Sequence, residues 1–176
     1  MSSFELSNDM RLAWEQHVYW TRMVLISIAH HLPDQTATVN RLMQNPKDLA
    51  AIFARYYPAA QDTIAKLLTE HLQIGGEIIT AARDGKTTQV QTLSAQWYQN
   101  ADQMAEAFHS VNPCYDLEMT KSMLHEHLAL TTTEVSNRVA GNYAGDVGDF
   151  DKVEAAAIRM ADYFTDGIIR QFPKRF

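Results

Sequence analysis

Seven histidines occur in the chain, and three of them, His17, His71 and His127, share a local pattern that could do chemistry. Each follows a residue whose side chain can hydrogen-bond: Gln16, Glu70 and Glu126. Imidazole nitrogens from facing helices are how bundles build metal sites. A set of three rings suits a divalent transition metal: zinc, iron (as ferrous iron), copper or nickel. Glu70 and Glu126 are candidate additional ligands, or hydrogen-bond partners of the rings. If both reach inward, a two-metal centre could form. The chemistry would be activation of water or dioxygen, which means metal-assisted hydrolysis or redox. None of the three histidines belongs to a Glu-x-x-His of the kind that di-iron bundles use, and no His-x-x-x-His of zincins is present. The alternative is a non-catalytic binding or assembly module. In that case the buried Glu-His pairs, helped by Thr21, Thr131 and Thr133, satisfy one another and fix helix register.

For three rings to converge, helices must carry them on inward faces. The punctuation predicts such helices throughout. Asn8 or Asp9 can cap a first helix to about His31, stopped by Leu32-Pro33-Asp34. A second element spans about 34–44, and Asn45-Pro46 opens a short helix to about Arg55. Pro58 opens a long helix ending at Asp84-Gly85. Further helices follow at about 87–109, broken by Asn112-Pro113, then from Asp116 to near Gly141, and from Asp146 to Phe172. The fold class expected is therefore all-α, an up-and-down bundle of about six helices forming one domain over residues 1–176. Spacing places His71 on the apolar stripe of Ile64, Leu68, Gly75, Ile78 and Ala82. His17 shares a face with Ala13, Trp20, Thr21 and Val24, and His127 with Leu124, Thr131 and Glu134. His125 sits about 200° round the helix from His127 and should point elsewhere. His30, His31 and His109 lie in last turns, where a cation offsets the helix dipole.

The Glu-His doublets belong to a longer internal match. Leu68, Glu70, His71 and Leu72 recur 56 positions later as Leu124, Glu126, His127 and Leu128. Gly85 recurs as Gly141, and Ala101, Met104, Ala105 and Phe108 as Ala157, Met160, Ala161 and Phe164. This argues for a duplicated helical hairpin. Gln16-His17-Val18 makes a looser third match.

Composition narrows the function classes. The net charge of -6 argues against nucleic acid as a partner. The run Met23 to Ala29 is too short to span a bilayer, so no membrane partner is expected. Polar residues at the start lack the pattern of a signal peptide, and a lone cysteine, Cys114, excludes an internal disulfide. Together these predict a cytoplasmic location. A small-molecule substrate and a homo-oligomer are both compatible with this composition. Other features read as structural: Cys114 in its turn, the aromatics Trp14, Tyr19, Trp20, Trp97 and Tyr98 as core rather than a ligand pocket, and the methionines as filler. Asp146, Asp149, Asp151 and Glu154 suit a helix start, and Gly75-Gly76 suits close helix packing.

The segment Trp14-Glu15-Gln16-His17-Val18-x-Trp20-Thr21-Arg22, with Glu70-His71-Leu72, Glu126-His127-Leu128-x-Leu130-Thr131 and Gly167-Ile168-Ile169-x-Gln171-Phe172, resembles a family of small uncharacterised bacterial helical proteins. The resemblance covers nearly the whole chain and implies a bacterial source and a helical fold. Some such chains carry the label acetylglutamate kinase. That activity needs an α/β sheet with glycine-rich phosphate loops, and this sequence has neither.

Overall fold

The computed structural model describes residues 2–176. Helices form nearly all of it: α1 (Ser3–Ala29), α2 (Gln35–Leu42), α3 (Asn45–Ala54), α4 (Gln61–Arg83), α5 (Thr87–Val111), α6 (Leu117–Val139) and α7 (Tyr143–Gln171). Single 3-10 turns occupy Pro58–Ala60 and Pro173–Arg175, and the described residues contain no strand. The all-α bundle expected from the punctuation is what the chain forms. No helix among the described residues is long and apolar enough to cross a membrane.

Two helix starts differ from expectation, and capping explains both. Helix α1 begins at Ser3 rather than after Asn8 or Asp9, because Ser2 and Glu5 form a reciprocal capping box. The Glu5 N–H donates to Ser2 Oγ at 3.2 Å, and the Ser2 N–H donates to the Glu5 carboxylate at 2.6 Å. Asp9 lies within the helix and pairs with Arg55. Helix α7 begins at Tyr143 rather than Asp146, since Asn142 Oδ1 accepts from the Gly145 N–H at 3.2 Å. Between the long helices, Gly85 and Gly141 take φ of 69° and 75°, the left-handed stop that lets α4–α5 and α6–α7 turn back as hairpins.

Helix α1 is central, packed against α2, α3, α4, α6 and α7. Its first half joins the main core around Leu6, Met10, Trp14, Phe53, Phe108 and Phe164, where the Trp14 and Phe164 rings stack at 5.8 Å. Its last turns enter a second, smaller cluster with Leu42, Leu72, Ile79 and Val135. His17 lies on the stretch of α1 where one cluster gives way to the other. Positions 56 apart in the two hairpins share environments: Ala101 and Ala157, Met104 and Met160, Ala105 and Ala161, and Phe108 and Phe164 are all buried. The two phenylalanines meet at 4.5 Å between centroids. At one end of the bundle, the fully buried Tyr115 donates to the Phe164 carbonyl at 2.8 Å. Its ring rests on Gly167, where a Cβ would come within 2.0 Å of it.

Candidate metal centre

The helical period brings His17 of α1, His71 of α4 and His127 of α6 to one level inside the bundle. All three are at most 3% exposed. Their ring centroids are 5.6 to 6.1 Å apart, and one nitrogen from each lies within 4.8 Å of the others. Zinc–imidazole bonds of about 2.0–2.1 Å in a tetrahedral site would set nitrogens roughly 3.3 Å apart. Binding would therefore draw the rings together by an ångström or so.

Two of the rings are held by asparagines in the same way. His17 Nδ1 lies 2.9 Å from Asn45 Oδ1, and Asn45 Nδ2 donates to the Ala13 carbonyl at 2.8 Å. His71 Nδ1 lies 3.2 Å from Asn100 Oδ1, and Asn100 Nδ2 donates to the Leu67 carbonyl at 3.1 Å. In each case the amide bridges the ring and the backbone carbonyl four residues before it. Because the amide nitrogen is committed to a carbonyl, its oxygen faces Nδ1, which must then carry the proton. Nε2 is left with a free lone pair, the state a metal ligand requires. Trp97 braces His71 further: it stacks on the ring at 5.1 Å and donates to the His71 carbonyl at 2.9 Å. Gly75 makes room for this indole, since a Cβ there would already touch it at 3.4 Å.

His127 lacks such a clamp. Its Nδ1 is buried with no hydrogen-bond partner. The internal match explains why: the residue 56 positions after Asn100 is Ala156, which is buried and has nothing to offer. An unsatisfied buried nitrogen is uncommon in a native interior and points to a ligand or a water.

Burial keeps all three rings neutral. It lowers the His17 pKa against the pull of the Asn45 hydrogen bond. It takes His71 down to about 3, with the His17 ring adding to the effect. His127 also falls well below the ordinary imidazole range, through burial and then its two neighbours. Three lone pairs are thus available at neutral pH without competition from protons.

Glu70 and Glu126 do not join the site. Glu70 is 40% exposed and faces Lys66, while Glu126 is 49% exposed and bonds Arg159 at 2.7 Å. Adjacent helical residues stand about 100° apart, so turning the histidine fully inward carries the preceding carboxylate out to solvent. The same step places Gln16 near the surface, where it accepts from Arg41 at 3.2 Å. A two-metal centre built on these carboxylates is therefore absent. His125 also points away, 2.8 Å from Asp102. Thr21 and Thr131 do not serve the rings either; they donate to the His17 and His127 carbonyls at 2.7 and 2.8 Å.

The rings border a cavity of about 30 Å³, enough for one or two water-sized groups. Its other walls are mainly apolar, with Val24, Leu72, Ile79, Trp97 and Val135. Farther along α6 lies a buried ion cluster that sequence reading does not reveal. Arg22 donates to Glu134 at 2.5 Å and to both oxygens of Asp146 at 3.0 Å, and Arg138 reaches Asp146 at 2.5 Å. Burial pushes the Glu134 carboxyl up to about 7 despite Arg22. The clamping asparagines are missed by sequence reading too, because Asn100 has no counterpart in the second hairpin. Arg22, Arg138 and Asp146 look like ordinary surface charges until the helices are packed.

No protein-family model, curated protein or solved structure matches this chain.

Proposed function

We propose that this is a metal-binding helical-bundle protein holding one divalent transition ion (zinc, iron, copper or nickel) through His17, His71 and His127. The observation that carries this reading is the convergence of three buried, neutral imidazoles from three helices, with nitrogens within 4.8 Å. Two are already held in the ligand tautomer by Asn45 and Asn100. A purely structural network is expected to satisfy its own polar atoms. With the Nδ1 of His127 lacking a partner, the three histidines do not form a closed hydrogen-bond network. Three protein ligands leave an ion with an open position, the arrangement of catalytic rather than structural zinc sites. An open position on the cavity side suits activation of water or dioxygen, hence hydrolysis or redox chemistry.

Elemental analysis of protein purified without a nickel column, then loaded with each metal in turn, tests this. One ion per chain is expected, with uptake lost in a His71→Ala/His127→Ala variant that keeps its helical circular dichroism. A folded wild-type chain that takes up none of the four metals overturns the reading.

A further inference from the structure

The cavity beside the imidazoles adjoins a larger space. Between α1, α2 and α4 lies a groove of about 460 Å³, and Val24, Leu42, Leu72 and Gly76 border both. Gly76 is the notable member of this neck. A Cβ there would meet nothing within 4 Å, so Gly76, unlike Gly75, is not required by a packed neighbour. A glycine inside a helix weakens it; here it keeps the wall shared by cavity and groove free of a side chain. The groove walls are largely apolar (Val24, Ile28, Val39, Leu42 and Met43), and Lys86 and Glu77 on its margin carry opposite charges.

Resting on the metal reading above, we propose that groove and cavity together bind a linear monocarboxylate, with its carboxylate at the three imidazoles and its hydrocarbon tail along the groove. Charge selects the head group. Three neutral imidazoles cancel none of a divalent ion's charge, and none of the described residues lining the cavity is acidic. The nearby acids Glu134 and Asp146 are committed to Arg22 and Arg138. An uncompensated charge in apolar surroundings is costly, so the open position favours an anion. Hydroxide would meet that need but makes no use of the groove. The groove's walls suit a hydrocarbon, and a neck bounded by Val24, Leu42 and Leu72 suits an unbranched one.

The test is titration of cobalt(II)-loaded protein with acetate, butanoate, hexanoate and octanoate, followed by the cobalt absorption bands. From butanoate onward the Kd is expected to fall about fourfold for each added methylene while the groove is being filled. Octanol and octylammonium, equal in length but without the anion, are expected to bind at least tenfold more weakly than octanoate. Gly76→Leu favours the helix and fills the neck. It is expected to keep cobalt stoichiometry while bringing octanoate down to the affinity that the same variant shows for acetate. A Kd independent of chain length, octanol matching octanoate, or an undiminished series in folded Gly76→Leu each overturns the proposal while leaving the metal site standing. Should Gly76→Leu not fold, the series and the head-group comparison on the wild-type protein decide. Absence of cobalt uptake removes both readings at once.

Discussion

Acidification should destabilise the metal-free protein through the three buried imidazoles, and the size of the effect follows from linkage. In the unfolded chain each ring titrates near 6.5, whereas in the folded chain burial holds all three below that. Their folded pKa values are depressed, so as pH falls past 6.5 the unfolded state binds protons that the folded state refuses. Stability drops accordingly. From pH 7.5 to 5.5 the loss is a little over 1 kcal/mol for a ring that stays neutral throughout, as His71 does, so three such rings set an upper bound of about 4 kcal/mol. Glu134 acts in the opposite direction. Its folded pKa of about 7 lies above the unfolded value, so it contributes stability at low pH that is lost as pH rises toward 7. Over the same interval it offsets roughly 2 kcal/mol. The wild-type protein should therefore lose up to about 2 kcal/mol, a large share of a typical folding free energy. Urea melts at the two pH values, with chelator present, measure this. Substituting leucine singly for His17, His71 or His127 should reduce the pH-dependent loss by up to about 1 kcal/mol each. Glu134→Gln should enlarge it toward 4 kcal/mol. If a leucine variant shows the same difference between the two pH values as wild type, that ring is not held neutral in the folded state and the reasoning fails.

Three further outcomes are expected. Asn100→Ala leaves His71 Nδ1 without a partner, the condition His127 already has. It should cost about 1–3 kcal/mol of stability and weaken metal binding by roughly ten- to a hundredfold, as read by denaturant melts and competition with a chelator. Asp146→Ala strands Arg138 beside a missing carboxylate and leaves Arg22 with Glu134 alone. It should lower stability by about 3–5 kcal/mol, and a change below 1 kcal/mol would show that the cluster is solvated. Gly167→Ala drives a methyl into the Tyr115 ring, so a loss of about 1–3 kcal/mol or more is expected in thermal unfolding.

How much of this was legible in the sequence depends on the kind of signal. Apolar spacing alone assigns His17, His71 and His127 to inward stripes, because a helix offers only one buried face and these rings fall in phase with it. Their meeting at one level follows from hairpins of equal length, as the Gly85 and Gly141 turns show. The carboxylates were harder to place. A Glu-His doublet can turn either residue inward, and only the packed helices show that the rings take the interior and leave Glu70 and Glu126 to Lys66 and Arg159. Asn45 and Asn100 reach their partners across 28 and 29 residues of sequence. No local periodicity encodes such a contact, and the same holds for Arg22 with Asp146.

The indoles around the imidazoles give the molecule an optical gauge of its own. Trp97 stacks on His71 at 5.1 Å, and Trp14 lies 5.6 Å from His17. Two of the three tryptophans therefore stand one ring away from the place where an ion would sit. Paramagnetic copper or cobalt arriving there would darken their emission, whereas closed-shell zinc would leave them bright. Occupancy can thus be followed in unlabelled protein by light alone.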